Sequence, residues 1–200
     1  MSAEFSYTFI NSWSRPAVGE TPGLNGLKSE ERLLLLSSGS MTLDLELLSG
    51  KAVEVELKYS GKTSLGTEAA AYLNEDAGKE AIERVAWLTV GQKRLVFAYT
   101  LIPLDRIQKS LLKALESRAR EPIGTVLRSK NVPFQKENIE VGVLRCAQAA
   151  ADLNIAASTP LVSRRYILFD RKKSGRWTIK ALVTEIFSPV LIPFREAKQL

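Results

Sequence analysis

The chain has 200 residues, 45% hydrophobic and 25% charged, with a formal net charge of +6; this is the balance of a soluble globular domain, long enough to bury a core without staples. It has no histidine and one cysteine, Cys146, which excludes Ser-His and Cys-His nucleophile systems, most zinc sites and any internal disulfide. Neither a G-x-x-x-x-G-K-[ST] nor a G-x-G-x-x-G loop occurs, and no apolar run reaches the ~18 residues that span a membrane.

Residues 1–27 carry Pro16, Gly19, Pro22, Gly23 and Gly26 and read as an irregular lead-in. The opening MSAEFSY lacks the basic-then-apolar build of a signal peptide, so a cytoplasmic location is the expectation. Residues 29–36, SEERLLLL, have a capping Ser29 and acids in the first turn of a short helix. After the break SSGS, residues 41–48 alternate like a strand but also suit a second short helix. Residues 52–59 alternate as a strand and stop at Ser60-Gly61, and 63–79 is a polar stretch with a helical turn. Residues 81–90 and 94–102 form a hairpin turning at Gly91-Gln92, with Pro103 as the stop. Leu104, Ile107, Leu111, Leu112 and Leu115 give helical spacing over 104–118, and Pro122 opens a second helix. Residues 132–146 are extended and lead into an Ala-rich turn or short helix; 161–170 and 176–187 close the chain as a last hairpin. Strands outnumber helices and come as hairpins. The predicted fold is therefore α+β: an antiparallel sheet of about six strands with helices on one face, in a single domain over 28–200.

The densest positive patch, Arg164, Arg165, Arg171, Lys172, Lys173 and Arg176, flanks the turn at Ser174-Gly175. It reads as a solvated turn, and without interleaved aromatic residues it gives no nucleic-acid platform.

Two charges are out of place. In strand 177–187, side chains alternate between faces, and Glu185 falls with Trp177, Ile179, Ala181, Val183 and Phe187. In strand 81–90, Arg84 is the one charge among Ile82, Ala86, Leu88 and Val90. A lone buried charge is costly and needs a partner. Either Arg84 and Glu185 pair as a structural salt bridge, or one of them lies near a strand end and reaches water, or both line a cavity. In a cavity, Arg84 would clamp a ligand carboxylate, and Glu185 would be an acid or base whose pKa is raised by burial or lowered by a nearby arginine.

Five segments carry a family resemblance: GSMT at 39–42, ERVAWL at 83–88, FAYTLIP at 97–103, EPIG at 121–124 and LVTEIFSP at 182–189. Their order and spacing resemble chorismate lyase (chorismate pyruvate-lyase, 4-hydroxybenzoate synthase) over roughly residues 30–192. The resemblance implies a chorismate lyase-like fold and cofactor-independent conversion of chorismate to 4-hydroxybenzoate and pyruvate, feeding a ubiquinone or plastoquinone route. It places the carboxylate-binding arginine at Arg84, the glutamate beside the ring's 4-oxygen at Glu185, and two further substrate-binding positions at Met41 and Ile123. A helix beginning at Pro122 would present free backbone N–H groups to an anion there, and Gly124 would let a ligand come close. The sequence departs from the family pattern at Val85, where other members carry an acid, and at Tyr99, where they carry an arginine, so it looks like a divergent branch. The expected partner is the small molecule chorismate, with no nucleic acid, no membrane insertion and no cofactor, in a monomer or small homo-oligomer. The alternative is a non-catalytic sensor domain of the same fold that binds a small acid. Segments 104–130 and 29–48 are the candidate lids.

Overall fold

Residues that alternate at period two become long strands, and seven of these make one antiparallel sheet. In the computed structural model, which describes residues 5–16 and 26–195, β3 (Glu80–Val90) and β4 (Lys93–Pro103) form one hairpin. A second joins β6 (Leu161–Arg171) to β7 (Trp177–Phe187). Their turns hold Gly91 at φ 57° and Gly175 at φ 82°, a left-handed backbone that costs glycine least. Pairing of β4 with β7 joins the hairpins, with Ala98 opposite Glu185 and Thr100 opposite Val183. Outside them lie β2 (Glu54–Ser64), β5 (Gln135–Arg145) and β1 (Thr8–Ser14), giving the order β1-β5-β6-β7-β4-β3-β2.

The sheet is covered on both sides. On one face, α1 (Ser29–Leu36) and α2 (Met41–Ser49) pack Leu34, Leu35, Met41 and Leu45 against Leu88, Val96, Val162 and Phe187. Beside them, α4 (Lys109–Ser117) and α5 (Ile123–Ser129) set Leu111 and Leu127 against Ile102, Leu168 and Ile179. The reverse face carries α3 (Thr67–Leu73) and α6 (Ala147–Leu153), packed through Ala70, Leu73 and Ala149 onto Leu101, Leu182, Trp87 and Phe97. The expectation of helices on one face thus describes four of the six α-helices among the described residues. The other two are seven-residue, Ala-rich helices whose apolar stripe is too short to show a period.

Several boundaries differ from the sequence reading for identifiable reasons. The stretch 1–27, read as irregular, contains β1, the seventh strand; its Trp13 ring lies over Gly142, where a Cβ would stand 3.0 Å from Cε3. Residues 41–48 are helical: Ser40 caps the start, and Gly50 at φ 66° ends it. The alternation there misleads because Leu43, Leu47 and Leu48 are exposed on the helix. β2 runs on through Gly61, which the Tyr59 ring covers. Helix 104–118 is split into a 3₁₀ turn at Leu104–Arg106 and α4, because Ile107 bridges to Ile179.

Candidate functional site

Short side chains on the two central strands leave a hollow under the helices. Ala98 and Thr100 of β4 and Ala181 and Val183 of β7 form its floor, and Ser40–Thr42 and Pro122–Gly124, the starts of α2 and α5, form its rim. The empty volume is about 640 Å³, counting the part open to solvent. Met41, Arg84, Ile123 and Glu185, the four residues singled out in the sequence, all line this one cavity.

Arg84 is 7% exposed. Its Nη2 donates to the carbonyls of Ala119 at 2.9 Å and Glu121 at 3.1 Å, in the connection between α4 and α5. Burial lowers its pKa to about 10, so it keeps its charge at neutral pH. Among the described residues no carboxylate pairs with it.

Glu185 does not pair with Arg84. Register sets Arg84 level with Thr100 and Val183, while Glu185 is level with Ala98. One intervening strand and two residues along it separate their Cα atoms by roughly 12 Å. The partner is Arg164, whose Nε donates to Oε2 at 2.6 Å, while the Tyr166 hydroxyl donates to Oε1 at 3.1 Å. Arg164 is fully buried, and its Nη1 also donates to the carbonyls of Leu34 (2.7 Å) and Ser37 (3.0 Å), closing the C-terminal end of α1. Burial pushes the Glu185 carboxyl up, but Arg164, Lys136 and the Tyr166 hydrogen bond together hold it below the ordinary carboxylate value. The arginine prevails, so the group is ionised at neutral pH and is an acceptor rather than an acid.

This overturns two expectations. The structural pair Arg84–Glu185 is not formed. The patch 164–176 is not one solvated turn either: Arg164 is interior, and its neighbour Arg165 emerges on the opposite face, paired with Glu68 and Glu140. Alternation along β6 sends the two arginines to opposite sides, which a count of positive charges cannot show.

Lys136 also lines the cavity, and nothing in the sequence reading marked it. Val141 and Val143 face the helices beside Arg164 and Val162, and an unbroken strand would turn Lys136 to the other side. A register shift between Glu137 and Glu140, with Asn138 at φ 52°, restores it to the cavity face opposite Leu168.

At the rim, Met41 and Ile123 are the first helical residues after Ser40 and Pro122, so their N–H groups have no intrahelical acceptor. Arg128 Nη1 donates to Ser40 Oγ at 2.7 Å and ties the two helix starts together. A Cβ on Gly124 would stand 3.4 Å from that same Oγ. The departures from the family pattern lie away from the cavity. Val85 and Tyr99 are register partners on the reverse face, and Tyr99 is hydrogen-bonded to Glu83.

A family model described as chorismate pyruvate-lyase Rv2949c-like matches residues 35–195. No curated protein matches the sequence. Among solved structures, the effector domain of PhnF from Mycobacterium smegmatis aligns with a TM-score of 0.60 at 17% identity, covering 82% of this chain and 98% of that one. The crystal structure of PhnF gives 0.59 at 17%, covering 82% and 70%. A GntR-family transcriptional regulator from Bacillus cereus gives 0.52 at 13%, covering 74% and 99%. At such identities the likeness is one of fold.

Proposed function

The chain belongs to the Rv2949c-like chorismate pyruvate-lyase family, and we propose that it converts chorismate to 4-hydroxybenzoate and pyruvate without a cofactor. The observation that carries this reading is Arg84, a buried cation with no carboxylate partner among the described residues, facing the same cavity as an ionised Glu185. Arg84 takes the ring carboxylate, with the N–H groups of Ile123 and Met41 as further donors. Glu185 accepts a hydrogen bond from the ring's 4-oxygen. The ether C–O bond breaks as the neighbouring, hydroxyl-bearing carbon loses its hydrogen. The ring becomes aromatic, and the departing enolate takes a proton on its methylene carbon to become pyruvate, balancing the one the ring loses. An ionised Glu185 can take up a proton but has none to give, so its part is orientation and proton acceptance. Aromatisation supplies the driving force, and holding the reactant in register supplies the rest. Because Arg84 holds the carbonyls of Ala119 and Glu121, the α4–α5 connection is the lid through which substrate enters. 4-Hydroxybenzoate would then serve a quinone route.

A binding-only reading has one observation in its favour: both oxygens of Glu185 are already engaged by Arg164 and Tyr166, which suits a fixed acceptor. The two readings separate when purified wild-type protein, Arg84→Leu and Glu185→Gln are each mixed with chorismate. The lyase reading expects conversion by the wild type, its loss in Arg84→Leu and a sharp fall in Glu185→Gln. Tight binding of chorismate or 4-hydroxybenzoate with no conversion would replace it by the sensor reading.

A further inference from the structure

Lys136 is built the wrong way round for a surface lysine. Such residues lay their methylene stem on the protein and lift the ammonium into water. Here the residue as a whole is half-exposed, but Nζ is enclosed and has no hydrogen-bond partner. It points into the cavity, 4.4 Å from the centroid of the Tyr166 ring. The ring face attracts a cation but satisfies none of three N–H donors, and an ammonium enclosed without acceptors is costly. Among the described residues Lys136 forms no ion pair, and Glu185 is paired instead with Arg164.

The cavity therefore presents two cations, Arg84 and Lys136, that hold no carboxylate among the described residues. They enter from opposite sides. Lys136 is opposite Leu168, which is opposite Ala181, whereas Arg84 is level with Thr100 and Val183. Four strand spacings and an offset of two residues put their Cα atoms about 20 Å apart, so the two charged heads bracket a ring rather than share one acceptor.

We propose that Lys136 binds the second carboxylate of the substrate, so that the pocket selects a ring dicarboxylate over a monocarboxylate. This rests on the reading of the cavity as the site of a lyase acting on chorismate, and it deepens that reading. It also gives product release a cause. The dianion engages Arg84 and Lys136 together, and each product leaves with one carboxylate and loses one of the two contacts.

The test uses the full chain, with Lys136→Met, which keeps length and removes charge, and Lys136→Arg, which keeps charge. Two probes are titrated: 4-hydroxybenzoate, and the aromatic 3-[(1-carboxyvinyl)oxy]-4-hydroxybenzoate, which carries both carboxylates and cannot eliminate. Wild type is expected to bind the dicarboxylate at least ~10-fold more tightly. Lys136→Met should erase that preference while moving the affinity for 4-hydroxybenzoate by less than about threefold. Lys136→Arg should keep most of it. A pH profile adds a readout that a structural lysine would not give. Burial lowers the pKa of Lys136 to about 8, against the pull of Glu185. Arg164 and Asp44 are the other charges acting on it, and Tyr166 stays neutral. The wild-type preference should therefore fall above about pH 8, and that of Lys136→Arg should not. Equal weakening of both probes in Lys136→Met, or no change in either, overturns the inference; if Lys136→Met does not fold, Lys136→Gln takes its place under the same criteria. The two readings fail separately. A wild type that converts no chorismate but shows a dicarboxylate preference dependent on Lys136 loses the lyase and keeps this contact. Turnover with an unchanged KM in Lys136→Met does the reverse.

Discussion

Replacing Arg164 by methionine leaves the Glu185 carboxylate buried beneath the helices with only the Tyr166 hydroxyl as a direct partner. It also strips a donor from the carbonyls of Leu34 and Ser37 at the end of α1. Breaking a buried pair from one side costs about 3–5 kcal/mol. In a domain of this size each kcal/mol lowers Tm by about 2–4 °C, so a fall of roughly 6–20 °C is expected. The sign of the pH dependence is a second check. In the wild type the folded pKa of Glu185 lies below its ordinary value of 4.5, so its contribution is complete above that pH and is lost as pH falls through the folded value. In Arg164→Met burial dominates and the folded pKa rises above the unfolded one. Stability should then decline as pH rises from about 5 to 7, where the wild type gains nothing further from this group. Adding Glu185→Gln should recover stability, and a double-mutant cycle followed by urea unfolding measures the coupling. A loss below ~1 kcal/mol in Arg164→Met, or a flat profile between pH 5 and 7, would refute the assignment of Arg164 as the group that keeps Glu185 ionised.

Arg84→Lys keeps the charge but not the planar fork, and should weaken 4-hydroxybenzoate binding by about 10- to 100-fold in calorimetry with little change in Tm. Glu75 is held by Arg106, Lys79 and Lys180 at 2.6, 2.7 and 3.1 Å. Burial raises its pKa, but these three cations outweigh burial and bring it from 4.5 down to about 2. Its contribution, about 3 kcal/mol at most, should be present above pH 4.5 and disappear between there and pH 2, and Glu75→Gln should flatten that limb of the acid unfolding curve. Gly142→Val should push Trp13 off the sheet, since a Cβ would already lie 3.0 Å from the ring and 3.3 Å from the Asn11 carbonyl oxygen. A cost of about 1–3 kcal/mol with a shift in tryptophan emission is expected.

Period-two alternation carried most of the sheet, because both central hairpins are half-apolar strands closed by turn glycines. The same alternation put Arg84 and Glu185 on one inner face, where they lie. It could not choose the partner of Glu185, since that depends on which strand neighbours β7, and β6 supplies Arg164 while β4 separates Arg84. It left α2 undecided between strand and helix because exposed leucines imitate a strand, although Ser40 and Gly50 were both present as caps. Lys136 was out of reach because one bulge inverts the parity of β5. β1 was hidden because its Trp13 packs on Gly142, far along the chain, and its ring contacts with Tyr7 and Phe9 are local ones that show no strand period.

The most direct test of the central claim is a single-turnover experiment, with protein in excess over chorismate and pyruvate and 4-hydroxybenzoate quantified in the same sample. The account expects the two products to appear together in equal amounts, without added cofactor, and to vanish in Arg84→Leu. Chorismate recovered intact from a folded wild-type protein that binds it would contradict the lyase and leave a receptor for a ring acid in its place.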